Sequence, residues 1–312
     1  MNASIRRLVH TQVSNDEQIA GMLARYGKSP AVFYQKAPSD SRKGWGEPRY
    51  PRMDFTIDMR QDPERHTAGT MIFNIWVTTE CAAVGELDPD RAIEERLQEL
   101  IDGTFYTGAD SGTLCAEWER SDEFVFEGNE HGTSHPEVYG LTVTFELMAF
   151  PVQLTTDPDP IQGLNAWIKC YFPKMTAIAF DDMPEVWKPT DENPAIYWRF
   201  ESTASTNRQS YAVTWYTGQF YAHVIAQTVT ERNRWTKAII ERAQIDGEVL
   251  LIDESPMFIN RITVRNGADP LREGQLGLTG QHGVLSQPPK EPAQIKLIHA
   301  NYNLAKEEKK NG

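Results

Sequence analysis

Cysteine is scarce in this sequence and long apolar runs are missing, and each absence excludes a class of protein. The three cysteines, Cys81, Cys115 and Cys170, are widely spaced and odd in number. We therefore expect free thiols in a reducing compartment rather than a disulfide framework or a zinc site. No apolar run approaches the roughly 18 residues that a membrane-spanning helix needs. The N-terminus has a basic pair but no apolar stretch, which predicts no secretory signal.

Motifs for catalysis are missing as well. The chain has no Gly-rich phosphate loop followed by Lys and no Gly-x-Ser-x-Gly elbow. Asp110, in GADSGT, resembles the active-site turn of aspartic proteases, but those enzymes need two such Asp residues, and Asp, Ser and Gly are also ordinary turn residues. His131 and His135 have the spacing of a helical metal pair, but Gly132 and Pro136 disfavour a helix there. We predict no enzyme, catalytic residue, cofactor or metal, and keep a protease using Asp110 as a weaker alternative.

Basic residues are scarce in one part of the chain. Of the net charge of −13, residues 61–155 carry −15, with 4 Lys and Arg against 19 Asp and Glu. Residues 1–60 carry +4 and residues 156–312 carry −2. An acidic segment should repel nucleic acid, because Lys and Arg that neutralise phosphates supply most non-specific affinity. The simplest interpretation is a solvated acidic surface.

The first half of the chain contains a recognisable series of elements. We predict a helix over residues 14–26, the short strand AVFYQ, the strand RMDFTIDMR and a central strand over residues 70–79. A helix over residues 91–101 follows, with Asp88 as N-cap, Pro89 at its first position and Gly103 after its end. A loop-rich acidic segment then leads to a half-buried strand over residues 141–149.

The second half repeats this order. We predict a helix over residues 161–172, the strands TAIAF and PAIYWRF, a long strand over residues 211–230, a helix over residues 231–245, the strand MFINRITV and a Gly-rich loop over residues 266–283. Pro51 and Gly103 are 52 residues apart, and Pro194 and Gly247 are 53 apart.

The shared order and spacing predict a duplicated domain. We expect an α+β fold with two similar domains, each a mostly antiparallel sheet with helices packed on one face. The domains should cover residues 1–156 and 157–285. Residues 286–312, Pro-rich and then charged, should form an extended C-terminal arm.

The first half, from IRRLVH through IAGMLARYGKSPAVFYQKAP, the hairpin ending at NIWVTTE and the helix over residues 91–101, resembles the tail-terminator proteins of long-tailed bacteriophages. Those proteins have an N-terminal helix, a short strand, a Pro-led strand paired in a hairpin, a helix on the sheet and a final strand pair. The resemblance covers residues 3–150 and, more weakly, 160–285. Family members are usually half as long, so the duplication departs from the family pattern.

The resemblance implies a structural virion protein, assembled in the host cytoplasm. It would form a homo-oligomeric ring at the head-proximal end of the tail and have no catalytic residues. Its partners would be other copies of itself, the tail tube, the sheath if the tail is contractile, and the neck or connector proteins. Six copies are expected, or three if the two halves act as equivalent domains. DNA would pass through the lumen without specific binding, and no membrane would be involved. A neck connector or baseplate protein is the alternative.

The acidic segment gains a possible role in such a ring, because a lumen through which DNA slides should not bind it. The residues expected to line or rim this passage, in loops or on the outer face of the helix over residues 91–101, are Glu86, Asp90, Glu94, Glu117, Glu119, Asp122, Glu123 and Glu127.

Overall fold

The structure is a computed structural model that describes residues 2–60, 67–108, 112–126, 138–205 and 213–285. The chain has the predicted α+β fold, with two similar domains that are each a mostly antiparallel sheet with helices. The predicted C-terminal arm, residues 286–312, lies outside the described residues.

The elements follow one another in the same order in both domains. Domain 1 contains α1 Asn2–Asn15, α2 Glu17–Met22, β1 Arg25–Tyr26, β2 Ser29–Pro30, β3 Val32–Tyr34, β4 Arg52–Met59, β5 Thr67–Thr78, α3 Pro89–Ile101, β6 Thr104–Gly108, β7 Gly112–Phe126 and β8 Val138–Phe150. The second half contains α4 Pro160–Tyr171, β9 Thr176–Ala177, β10 Val186–Trp187, β11 Ala195–Ser205, β12 Val213–Ile225, α5 Val229–Asp246, β13 Glu248–Leu250, β14 Pro256–Val264 and β15 Leu276–Leu285.

The two large sheets share one topology. The strand order is β6-β7-β8-β5-β4-β3 in domain 1 and β13-β14-β15-β12-β11-β9 in domain 2. In each sheet the short strand at one end pairs in parallel with its neighbour, β3 with β4 and β9 with β11, and the remaining pairs are antiparallel. The repeat expected from sequence spacing is therefore also a repeat of strand order and direction.

The predicted boundary between residues 156 and 157 does not separate the two sheets completely. β10 comes from the second half but pairs antiparallel with β6, so that it becomes the outermost strand of the domain 1 sheet. The register places Val186 opposite Tyr106 and Trp187 opposite Phe105. The second domain therefore covers the edge that the first domain would otherwise expose.

Alternating apolar residues build the core of domain 1. Met53, Phe55 and Ile57 on β4 point to the same side as the alternate apolar residues of β5 and β8, because successive strand residues face opposite sides. The helices cover that side: Ile93, Leu97 and Ile101 form an apolar stripe on α3 and are fully buried against it. β5 lies between β4 and β8 and is central, as predicted.

The start of the chain differs from the prediction. The helix expected over residues 14–26 is two helices, because α1 begins near the N-terminus and the chain breaks at Asp16. The Asp16 carboxylate accepts a hydrogen bond from the Ile19 backbone N–H at 3.0 Å and so caps α2. The helical segment also ends earlier than predicted, at Met22 instead of residue 26. Residues 25–30 form the hairpin β1–β2, with Gly27 at φ 64° in its turn.

Two segments predicted as loops are strands. The acidic segment before β8 forms the hairpin β6–β7, in which β7 is 15 residues long. The Gly-rich segment contains β15, which lies between β12 and β14. Its glycines allow close approach of the neighbouring strands: a Cβ on Gly280 would come within 2.7 Å of the Met257 sulfur.

Candidate functional site

Four of the eight acidic residues expected to line a DNA passage lie on β7. β6 pairs with residues 112–116 of β7, so residues 117–126 extend beyond it, paired with β8 on one side only among the described residues. We call residues 117–126 the acidic edge. Glu119, Asp122 and Glu123 are exposed there, and Glu86 is exposed in the loop before α3.

Basic side chains partly neutralise this surface. Arg120 donates to Glu119 at 2.8 Å and to Asp122 at 3.0 Å. Arg91 of α3 bonds to Glu123 across the gap between helix and strand, and donates to Glu94 at 2.9 Å. The potential of the acidic edge is therefore weaker than a count of carboxylates suggests.

The prediction that Asp90 and Glu94 are exposed is wrong. They are 6% and 7% exposed, because the first turn of α3 faces the sheet on the side that the sequence pattern assigned to solvent. Burial raises the pKa of Asp90, with hydrogen bonds from the backbone N–H groups of the helix start opposing it. Arg91 and Gln98 both donate to Glu94. Neither carboxylate can contribute to an exposed acidic surface.

Glu117 lies at the base of the acidic edge and joins the two domains. Arg272, from the segment before β15, donates to the Glu117 Oε2 atom at 2.8 Å and lies 2.7 Å from the Glu146 Oε2 atom. Burial raises the pKa of Glu117, and the hydrogen bond from Arg272 opposes that shift. This residue is an interdomain contact rather than a free surface charge.

The remaining candidates fall outside the described residues. Glu127, Asp110, His131 and His135 lie in the gaps at residues 109–111 and 127–137. Gly108 pairs with Gly112 on either side of Asp110, so the GADSGT segment connects the two strands of the β6–β7 hairpin. Among the residues that the structure does describe, no group of three or more His, Cys, Asp or Glu side chains could hold a metal ion.

An apolar cluster separate from the domain 1 core holds the domains together, and the sequence did not predict it. Phe105 and Phe150 of domain 1 pack with Ile178 and Tyr197 of domain 2, and all are at most 5% exposed. The Phe150 and Tyr197 rings meet edge to face, with centroids 5.1 Å apart. The Tyr197 hydroxyl donates to the Pro151 carbonyl oxygen at 3.0 Å, which fixes the connection between the domains.

Each domain carries a connection of equal length between its parallel strand and its hairpin, and these two connections differ in what they contact. The first insert is residues 35–51 and the second insert is residues 178–194. The second insert contains β10 and lies across domain 1. The first insert stays on its own domain, where the Trp45 ring packs on Tyr26 and Phe33 with centroids 5.1 and 5.6 Å apart. Most residues of the first insert are exposed.

Comparison of the chain with family models, curated proteins and solved structures found no match. In the described part of the chain, no helix combines the length and the apolar character needed to cross a lipid bilayer.

Proposed function

We propose that this protein is a structural component of a bacteriophage tail, which forms a homo-oligomeric ring at the head-proximal end of the tail tube and joins the tail to the neck. The observation that carries the proposal is the order of elements in domain 1: N-terminal helices, a short parallel strand, a hairpin that follows Pro51, a helix on the sheet and the final strand pair β7–β8, with the β1–β2 hairpin and β6 as additions. That order is the one on which the resemblance to tail terminators rests.

The repeat in domain 2 supports the same role. A sheet that presents an edge strand can extend by pairing with another chain, and β10 on β6 already uses this mode of contact within one molecule. A duplicated, edge-pairing domain suits a protein whose task is to assemble. Because the domains share a topology, three chains would place six similar domains around a ring, and six chains would place twelve.

Electron microscopy and native mass spectrometry of the purified protein test the proposal. We expect closed rings with a central opening and a mass equal to three or six chains. Because some rings assemble only on their target, the same measurement should be made after mixing the protein with purified tail tubes, where rings should cap one end. A chain that stays monomeric alone and leaves tube ends bare would contradict the proposed function.

A further inference from the structure

The edge of the domain 2 sheet is open where the corresponding edge of domain 1 is covered. β13 has no neighbouring strand on its outer side among the described residues, and α4 contacts it where Gly163 lies against Leu250 and Leu251. Ile245, Leu250 and Ile252, on and beside β13, are 73%, 58% and 62% exposed. Phe105, on the equivalent strand β6, is fully buried in the apolar cluster that it shares with domain 2, and β10 pairs along that strand. An uncovered edge with apolar side chains is a surface for strand pairing.

The covered edge shows what kind of segment fits such a site. The second insert pairs with β6 through β10, and the Thr107 N–H donates to the Glu185 carbonyl oxygen at 2.9 Å. Lys188 Nζ donates to the Glu99 carbonyl oxygen at 2.9 Å, and Arg7 pairs with the Glu185 carboxylate at 3.3 Å. The contact thus combines backbone pairing with charged side chains on either side.

The first insert is the counterpart of this segment in domain 1. Both inserts are 17 residues long, residues 35–51 and 178–194, and both end in a proline before the hairpin. Each has a non-glycine residue in the left-handed region near its start, Gln35 at φ 69° and Ala179 at φ 64°. Each also contains one tryptophan.

The charges of the first insert and of the open edge are opposite. The first insert holds four Lys and Arg and two Asp and Glu, whereas residues 245–258, around β13, hold four acidic residues and no basic one. Arg42 and Lys43 are exposed on the insert, and Glu248 and Glu254 are exposed at the edge. The second insert is acidic and meets Arg7 on domain 1, so the two contacts have opposite polarity. This difference favours the second insert on the β6 edge and the first insert on the β13 edge. It disfavours the reverse pairing, in which like charges would meet.

We infer that the open edge at β13 binds the first insert of a second copy of this chain. The inference rests on the proposed ring and names the surface that closes it. Within one chain, the second insert lies on domain 1 and pairs with it through β10. Between chains, the first insert of one copy would lie on domain 2 of the next copy through residues 35–51. A head-to-tail contact of this kind generates a closed ring when its rotation closes.

Charge reversal on both sides tests the contact. The edge variant is Glu248→Lys with Glu254→Lys, and the insert variant is Arg42→Glu with Lys43→Glu. Each should weaken association between copies about 100-fold in concentration-dependent mass photometry, since like charges then face each other. A chain that carries all four changes restores opposite charges and should assemble again. This rescue distinguishes a direct contact from a loss of folding.

The control variant is Glu80→Lys with Glu95→Lys. It makes the same change in charge as the edge variant, but at exposed residues of domain 1, and should assemble like the wild type. If the wild type forms rings and the edge and insert variants form them equally well, the inference is wrong while the proposed function stands. Absence of wild-type rings, alone and on tubes, would refute both. If removal of residues 286–312 abolishes rings that both charge variants still form, the C-terminal arm occupies the edge and the inference is also wrong.

Discussion

Replacement of Phe150 by Ala should loosen the junction between the domains as well as destabilise the chain. Phe150 is 2% exposed, and its ring contacts Phe105 in domain 1 at 5.3 Å and Tyr197 in domain 2 at 5.1 Å. Large-to-small changes of a buried Phe cost about 3 to 5 kcal/mol, because the cavity only partly collapses. Three ring contacts are lost here, since the His223 ring also lies 6.1 Å from the Phe150 ring. An aromatic pair contributes about 0.5 to 1.5 kcal/mol beyond burial, so we expect the upper half of that range.

The assay combines chemical denaturation with amide hydrogen exchange measured by mass spectrometry. Denaturation gives the change in the free energy of unfolding, and exchange shows which strands open. For Phe150→Ala, exchange should increase in β6 and β10, and also in β11, which carries Tyr197. These strands belong to both halves of the chain.

Phe73→Ala is the matched control. Phe73 is also fully buried and has two ring neighbours, Phe55 at 5.4 Å and Phe145 at 5.9 Å, but all three belong to domain 1. It should cost a similar free energy and increase exchange in β4, β5 and β8 without opening β11. If Phe150→Ala costs less than about 1 kcal/mol, or if both variants open the same strands, the cluster does not join the domains as argued.

Three further predictions concern helix α3, an ion pair and the acidic edge. Leu97→Ala should lower the free energy of unfolding by about 2 to 5 kcal/mol in chemical denaturation. Asp88→Ala should lower it by only about a few tenths of a kcal/mol, because the Asp88 side chain stands at the N-cap but makes no capping hydrogen bond. Equal losses of stability would refute this assignment. The hydrogen bond from Arg96 holds the pKa of Asp16 below its usual value, so its contribution is present above the unfolded-state pKa, near pH 4, and is lost as the pH falls through the lower folded-state pKa. Asp16→Asn should therefore cost about 1 kcal/mol at pH 7, and its difference from the wild type should shrink in denaturation curves below pH 4; a constant difference would contradict the ion-pair argument. Lys at Glu86, Glu119, Asp122 and Glu123 should leave folding intact and slow DNA ejection at low salt if the acidic edge faces the lumen, and normal ejection would leave it a solvated surface.

The parts of the fold that could be predicted are those in which one chain segment carries its own signal. Helix α3 has Pro89 at its start, Gly103 in the left-handed region after its end and a regular apolar stripe. β4 and β5 alternate clearly. The start of α1 also carried a readable signal, since Ile5, Leu8, Val9 and Val13 have helical spacing and are buried. The Asp16 cap divides α1 from α2. The prediction of a helix that begins at Ser14 therefore missed α1.

The parts that could not be predicted depend on partners distant in sequence. Residues 117–123 of β7 are mostly charged and mostly exposed, and they form a strand because β8 supplies their hydrogen bonds. β15 is rich in glycine, a residue that is depleted in strands, but its neighbours need the space. β10 has two residues, and nothing local distinguishes it from a loop. The same reason hid Arg272: its role depends on Glu117, 155 residues away.

The candidate acidic set was predicted from composition, which gives the sign of a surface but not the direction of each side chain. Glu119, Asp122 and Glu123 are exposed as expected. Asp90 and Glu94 are buried. Arg91 and Gln98 donate to Glu94, and backbone N–H groups at the helix start favour the Asp90 carboxylate, although its Oδ1 atom has no hydrogen-bond partner among the described residues. Helical periodicity alone assigned these two positions to solvent, and the helix is buried over a wider arc at its first turn than the apolar stripe indicated.

The pairing of β10 with β6 has a consequence for how copies would meet in the proposed ring. Residues 151–159 tether the two domains, so that the second insert reaches β6 at an effective concentration in the millimolar range, typical of short tethers. That contact is therefore complete in a single chain at any dilution. Only contacts between separate chains depend on protein concentration. Because each chain carries two joined domains, a ring with a given number of domains would need half as many contacts between chains as a ring of separate single domains. In the proposed ring, the onset of assembly would then depend on the protein concentration, while the geometry of every second contact would be set during folding.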